Sequence, residues 1–96
     1  MGKHVVMWRI QPEDKAAKIA KLKGMLLGLK STVPSIRNLE VGVNWNEEPT
    51  AWDVVLVSDF EDRAGLDAYQ KHPEHVKVAE YLKAVRTDRA VADYDL

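Results

Sequence analysis

Asp53-Val54-Val55-Leu56-Val57-Ser58-Asp59-Phe60 is the stretch on which the fold turns. The run from Trp52 to Phe60 is rich in valine, a β-branched residue that packs well on a pleated surface. At its centre it is apolar on both faces, Val54 and Leu56 on one and Val55 and Val57 on the other. A strand of this kind belongs in the middle of a sheet that is covered on both sides.

The rest of the chain arranges itself around that strand. Just upstream, Asn46-Glu47-Glu48-Pro49 is a turn. Before it, Arg37, Leu39, Val41, Val43 and Trp45 alternate with Ile36, Asn38, Glu40, Gly42 and Asn44, so the two strands form an antiparallel hairpin. Nearer the N-terminus His4 to Ile10 alternates too, with His4, Val6, Trp8 and Ile10 on one face and Val5, Met7 and Arg9 on the other. Gln11-Pro12-Glu13-Asp14 opens a helix, with proline and acids suited to a first turn. Ile19, Leu22, Leu26, Leu29 and Val33 form its core-facing stripe, Lys15, Lys18, Lys21 and Lys23 occupy solvated faces, and Pro34 ends it.

Downstream, Asp59, Glu61 and Asp62 mark the start of a second helix that carries Leu66 and Tyr69 and stops at His72-Pro73. From Pro73, the spacing His75, Val78, Ala79, Leu82, then Val85 or Arg86 is a further helical stripe. Arg89 to Tyr94 reads as a closing strand. The order strand, helix, strand, strand, helix pair, strand predicts a ferredoxin-like α+β subunit. Its four-stranded antiparallel sheet carries helices on one face, in a single domain over residues 1–96. Helices on one face leave the other uncovered, although Val5, Met7, Val55 and Val57 lie there. So large an apolar patch is rare on a monomer, and stacking two sheets face to face would bury it. A homodimer is expected.

Composition narrows the function. The hydrophobic fraction is 46% and the formal net charge −1, which fits a folded domain and favours neither nucleic acid nor an anionic membrane as partner. The absence of cysteine removes disulfides, thiolate metal sites and a cysteine nucleophile, and fits a reducing cytoplasm. No apolar run approaches the roughly 20 residues that span a bilayer. No Gly-rich phosphate loop, serine nucleophile motif or paired carboxylate calls for a cofactor or other chemistry. Neither His-x-x-x-His nor Glu-x-x-His is present, so no metal site is expected.

Chemistry concentrates in Tyr69-Gln70-Lys71-His72-Pro73-Glu74-His75. Pro73 cannot continue the incoming helix but suits the first turn of the next, and it pushes His72 out of the helical region. His75 falls in that first turn, where free N–H groups and the dipole disfavour an imidazolium, so the ring should be neutral at pH 7. A neutral imidazole is the form a general base requires. His-Pro is also a common structural junction between helices.

Lys3-His4-Val5-Val6-Met7-Trp8, Ile36-x-x-Leu39-Glu40-Val41-Gly42, Asp53 to Phe60, Tyr69-Gln70-x-His72-Pro73-x-His75, Tyr81-Leu82, Asp88-Arg89 and Val91-x-Asp93-Tyr94 resemble, in order and spacing, the stress-responsive A/B barrel domain family. The resemblance covers nearly the whole chain and implies a dimeric α/β barrel. Many members have no assigned activity. One plant member closes a polyketide ring in a pocket between helices and sheet, and its catalytic histidine and tyrosine match His75 and Tyr69, its first-strand histidine His4. Where that cyclase has a third-strand pocket histidine this chain has Val54, and where it has a smaller apolar residue this chain has Trp8, an indole able to fill the pocket.

Three readings follow. In the first, His4, Trp8, Leu56, Tyr69 and His75 line a pocket that binds a small, partly apolar or aromatic molecule. In the second, His75 is the base that removes a proton alpha to a carbonyl, and Tyr69 donates a hydrogen bond to the developing enolate. In the third, the protein is a protective or structural dimer whose histidines are hydrogen-bonded core residues. The resemblance puts His72 outside this cluster, and it is expected to be more exposed than His75.

Overall fold

A computed structural model describes all 96 residues. The elements run β1 (Gly2–Ile10), α1 (Lys15–Thr32), β2 (Ile36–Val43), β3 (Val54–Phe60), α2 (Arg63–Lys71), α3 (Pro73–Val85) and β4 (Arg86–Asp95). The strands form one antiparallel sheet in the order β2-β3-β1-β4, and helices pack on one face. This is the ferredoxin-like α+β arrangement expected from the order of elements.

Period-2 patterning sets the register. Val6 pairs with Leu56 and Trp8 with Val54, so the buried faces of the two central strands coincide beneath the helices. Leu22, Leu26 and Leu29 of α1 and Val78, Leu82 and Val85 of α3 close the core over them. Val5, Met7, Val55 and Val57, on the opposite face, are only half-buried in the single subunit. Beside them a Cβ on Gly42 would lie 2.9 Å from Val55 Cγ1, so glycine is what lets the valine lie flat across the neighbouring strand.

Three expectations about boundaries are corrected. The first helix begins at Lys15, and Gln11 to Asp14 is a turn rather than its first turn. The end of β1 is tied down: the Gln11 N–H donates to the Val85 carbonyl at 2.9 Å and the Ile10 N–H to Asp53 Oδ2 at 2.7 Å. The chain must therefore reverse before a helix can start. Asp14 makes the reversal in the left-handed region at φ 50°, which aspartate tolerates better than most residues. Lys15, expected to be simply solvated, reaches the same Asp53 carboxylate at 3.2 Å.

The second strand stops at Val43 instead of reaching Trp45, because its partner β3 begins at Val54, which pairs with Val43. Beyond that rung the Asn44 N–H donates to the Asp53 carbonyl and the two chains diverge, leaving Trp45 91% exposed. The closing strand begins at Arg86, earlier than expected.

Leu22 is fully buried away from any cavity, whereas Lys23 beside it is exposed. Leu22→Ala should lower the unfolding free energy by about 2–5 kcal/mol and Lys23→Ala by less than about 0.5. Urea denaturation should show this as a shifted midpoint at constant slope for the first variant alone.

Candidate functional site

A partly enclosed cavity of about 140 Å³ lies between the sheet and the helices, and all five side chains expected to line a pocket border it. His4 and Trp8 come from the helix-facing side of β1 and Leu56 from the adjacent strand β3. Tyr69 and His75 come from either side of the Pro73 break. Trp8 forms a wall and leaves the space open.

Local sequence explains how the helix pair presents its residues. Asp62 caps α2 by accepting the Gly65 N–H at 2.9 Å, and the His72 N–H closes the other end on the Tyr69 carbonyl. His72 itself is extended (φ −64°, ψ 136°), as a residue before proline should be, and its Nδ1 accepts the Glu74 N–H at 3.1 Å. That ring caps α3 and stands outside the cavity lining. It is half-buried like His75, so the two histidines differ by what they face rather than by depth.

Tyr69 is buried between the two other histidines. Its ring centroid lies 4.5 Å from that of His75 and 6.1 Å from that of His4, with Phe60 packed at 5.2 Å. Burial pushes the phenol up to about 12, so the hydroxyl keeps its proton and can act only as a neutral donor or acceptor near pH 7. The hydroxyl of Tyr81 donates to the Lys18 carbonyl, but that of Tyr69 has no partner in the chain.

His75 Nδ1 lies 3.1 Å from the Gln70 carbonyl. A carbonyl oxygen only accepts, so Nδ1 carries the proton and Nε2 keeps its lone pair. Burial lowers the pKa of His75; the Gln70 carbonyl opposes that shift, and the electrostatic influence of His4 and of the Arg89 guanidinium reinforces it. The ring is a neutral imidazole of assigned tautomer, chemically competent to take a proton. His4, also buried, directs Nδ1 to the Asp93 carboxylate across the β1–β4 pair.

The sequence reading did not single out Asp93, Gln70, Arg86 or Arg89 for this site. Arg86 and Arg89 line the cavity. His4 faces Asp93 and Trp8 faces Arg89 across one antiparallel register, and only that register, once known, would have identified them. The structure contains no cluster of three or more histidine, aspartate or glutamate side chains able to hold a metal. No helix is long and apolar enough to cross a membrane.

A ferredoxin-like subunit with a pocket between helices and sheet is thus the class of protein that fold and site define. The chain belongs to the family described as the stress responsive A/B barrel domain, whose model matches residues 3–96. Among solved structures, a dimeric protein of unknown function with a ferredoxin-like fold from Bacteroides fragilis is 29% identical with a TM-score of 0.90, over 99% of this chain and 95% of that one. A dimeric ferredoxin-like protein of unknown function from Jannaschia sp. is 26% identical with a TM-score of 0.83, over 99% and 98%. The hydroxynitrile lyase of Passiflora edulis shares the fold at 14% identity, TM-score 0.85, over 97% and 90%. No curated protein matches the chain.

The lowered pKa of His75 has a testable sign. Between the folded value and the unfolded value near 6.5, the unfolded chain binds more protons than the folded one. His75 therefore stabilises the fold above pH 6.5, and that contribution is lost as the pH falls through the window below it. An NMR titration should place the His75 midpoint below 6.5. His75→Gln should flatten the loss of stability on acidification over the same range.

Proposed function

We propose that the protein is a homodimer in which each subunit binds a small, partly apolar molecule in the cavity between helices and sheet. The observation that carries this reading is the convergence of His4, Trp8, Leu56, Tyr69 and His75, from four separate elements, on one cavity that combines apolar walls with polar and cationic side chains. Pairing through the open sheet face is supported by the half-buried Val5, Met7, Val55 and Val57 and by the dimers described for two of the solved relatives. Trp45 and Trp52 extend the same face, bordering an apolar depression with Met7 and Val55. We place the dimer in the cytoplasm, consistent with a cysteine-free chain.

One further observation favours proton-transfer chemistry on the bound molecule. The Gln70 carbonyl holds His75 in the tautomer whose Nε2 is free, and the ring of Tyr69, whose hydroxyl has no partner in the chain, packs against it at 4.5 Å between centroids. In this second reading His75 is the general base and Tyr69 the donor that stabilises an enolate oxygen. The lyase of Passiflora edulis carries out its own reaction on the same fold, which at such low identity lends only the scaffold.

Binding is tested with phenol as probe. Amide shifts in a ¹H–¹⁵N spectrum should cluster around Tyr69, His75 and Leu56, and Ala79→Leu, which fills the cavity from α3, should abolish them. Shifts confined to another surface would overturn the reading. The dimer is tested by light scattering at micromolar concentration, where Val57→Asp should halve the mass or unfold the chain. If a substrate is turned over, His75→Ala should abolish turnover in a folded dimer, and Tyr69→Phe should slow it less.

A further inference from the structure

Resting on that reading of the cavity, we propose that its occupant is an acid, a small aromatic or otherwise apolar carboxylate whose anionic end is held by Arg86 and Arg89. Arg89 stands opposite Trp8 in the β1–β4 register, so it shares the helix-facing side of the sheet with the cavity wall. Arg86 is both the C-cap of α3 and the first residue of β4, and it lines the cavity as well.

Their charges are unanswered within the chain. Arg9, Arg37 and Arg63 all pair with carboxylates, at 3.8, 3.1 and 3.2 Å. Arg86 and Arg89 make no ion pair or side-chain hydrogen bond, in a protein with 15 acidic residues against 14 basic ones. No carboxylate lines the cavity, and Lys83 adds a third cation to the lining. A cation at the end of α3 complements the helix dipole, which accounts for Arg86 alone. Arg89 is exposed and reached by water, and what sets it apart is its place on the helix-facing side of β4 at the cavity rim.

The chemistry of the lining selects the ligand class. Guanidinium groups present planar, rigid donors that match a carboxylate in two-point geometry. The lining also includes Trp8, Leu56 and Val78, which suit an apolar or aromatic body and offer nothing to a heavily hydrated ion. A monocarboxylic acid with an apolar ring satisfies both ends. Its body would then lie beside Tyr69 and His75, the two groups able to donate or accept a proton.

The test compares salicylate with salicylamide, its neutral isostere, by ¹H–¹⁵N titration of the whole chain at low salt. Salicylate should bind at least tenfold more tightly than the amide, with shifts at Tyr69 and His75. Arg86→Gln and Arg89→Gln should each weaken salicylate severalfold more than salicylamide and so bring that ratio toward one, and their spectra report whether they remain folded. Equal affinity of the wild type for both molecules, with shifts still in the cavity, would overturn the acid and leave the pocket standing. A preference that survives both substitutions would overturn the assignment to these arginines. If neither molecule shifts cavity residues, this inference falls, and phenol decides separately whether the pocket reading falls with it.

Discussion

Everything in this subunit depends on the two-sided burial of its central strands. β1 and β3 carry apolar side chains on both faces, but the chain has helices for one face only. That asymmetry dictates where each functional group can stand. The helix-facing set, His4, Val6, Trp8, Val54 and Leu56, is almost fully buried and forms the floor of the core and cavity. The opposite set is left for whatever covers the sheet. Moving β1 by one residue would exchange the sets, placing His4 and Trp8 on the open face and destroying floor and site together.

Pro73 is the second constraint and acts on the roof of the cavity. One continuous helix from Arg63 to Val85 would place Tyr69 and His75 six residues apart, most of two turns along the axis. The break instead ends α2 within a turn of Tyr69 and restarts α3 two residues before His75, so their rings lie 4.5 Å apart. The junction also satisfies its own polar groups. His72 accepts a free N–H of α3, and the Gln70 carbonyl near the end of α2 accepts from His75. A structural capping arrangement and a base of assigned tautomer thus come from the same few residues.

Most of the fold was legible because alternation and helical stripes record which face each element buries. Leu22, Leu26, Leu29, Val78 and Leu82 are buried as their spacing requires. The misplaced boundaries share one cause. Where α1 starts and where β2 stops depends on bonds made far away in sequence, Gln11 to Val85 and Asn44 to Asp53. The candidate site was legible to the extent that it lies on these stripes, which is why His4, Trp8, Leu56, Tyr69 and His75 could be named together. Arg86 stood only as an alternative to Val85 at the end of the α3 stripe, and Asp93 and Arg89 escaped because β4 is polar along most of its length, and polar residues on an edge strand carry no pattern that distinguishes cavity from solvent.

The cationic lining and the neutral histidine are connected through electrostatics. The positive charge of Arg89 is one of the reasons that His75 resists protonation in the free protein. Burial is the larger reason; a carboxylate seated on Arg86 and Arg89 would answer the Arg89 charge and remove only that contribution to the lowered pKa of His75. Linkage makes the effect reciprocal: acidification that charges His75 would then strengthen the hold on the acid. In the proton-transfer reading the consequence is directional. A bound acid would raise the basicity of His75 by answering the Arg89 charge alone, the smallest of the influences on it, while burial continues to hold its pKa down.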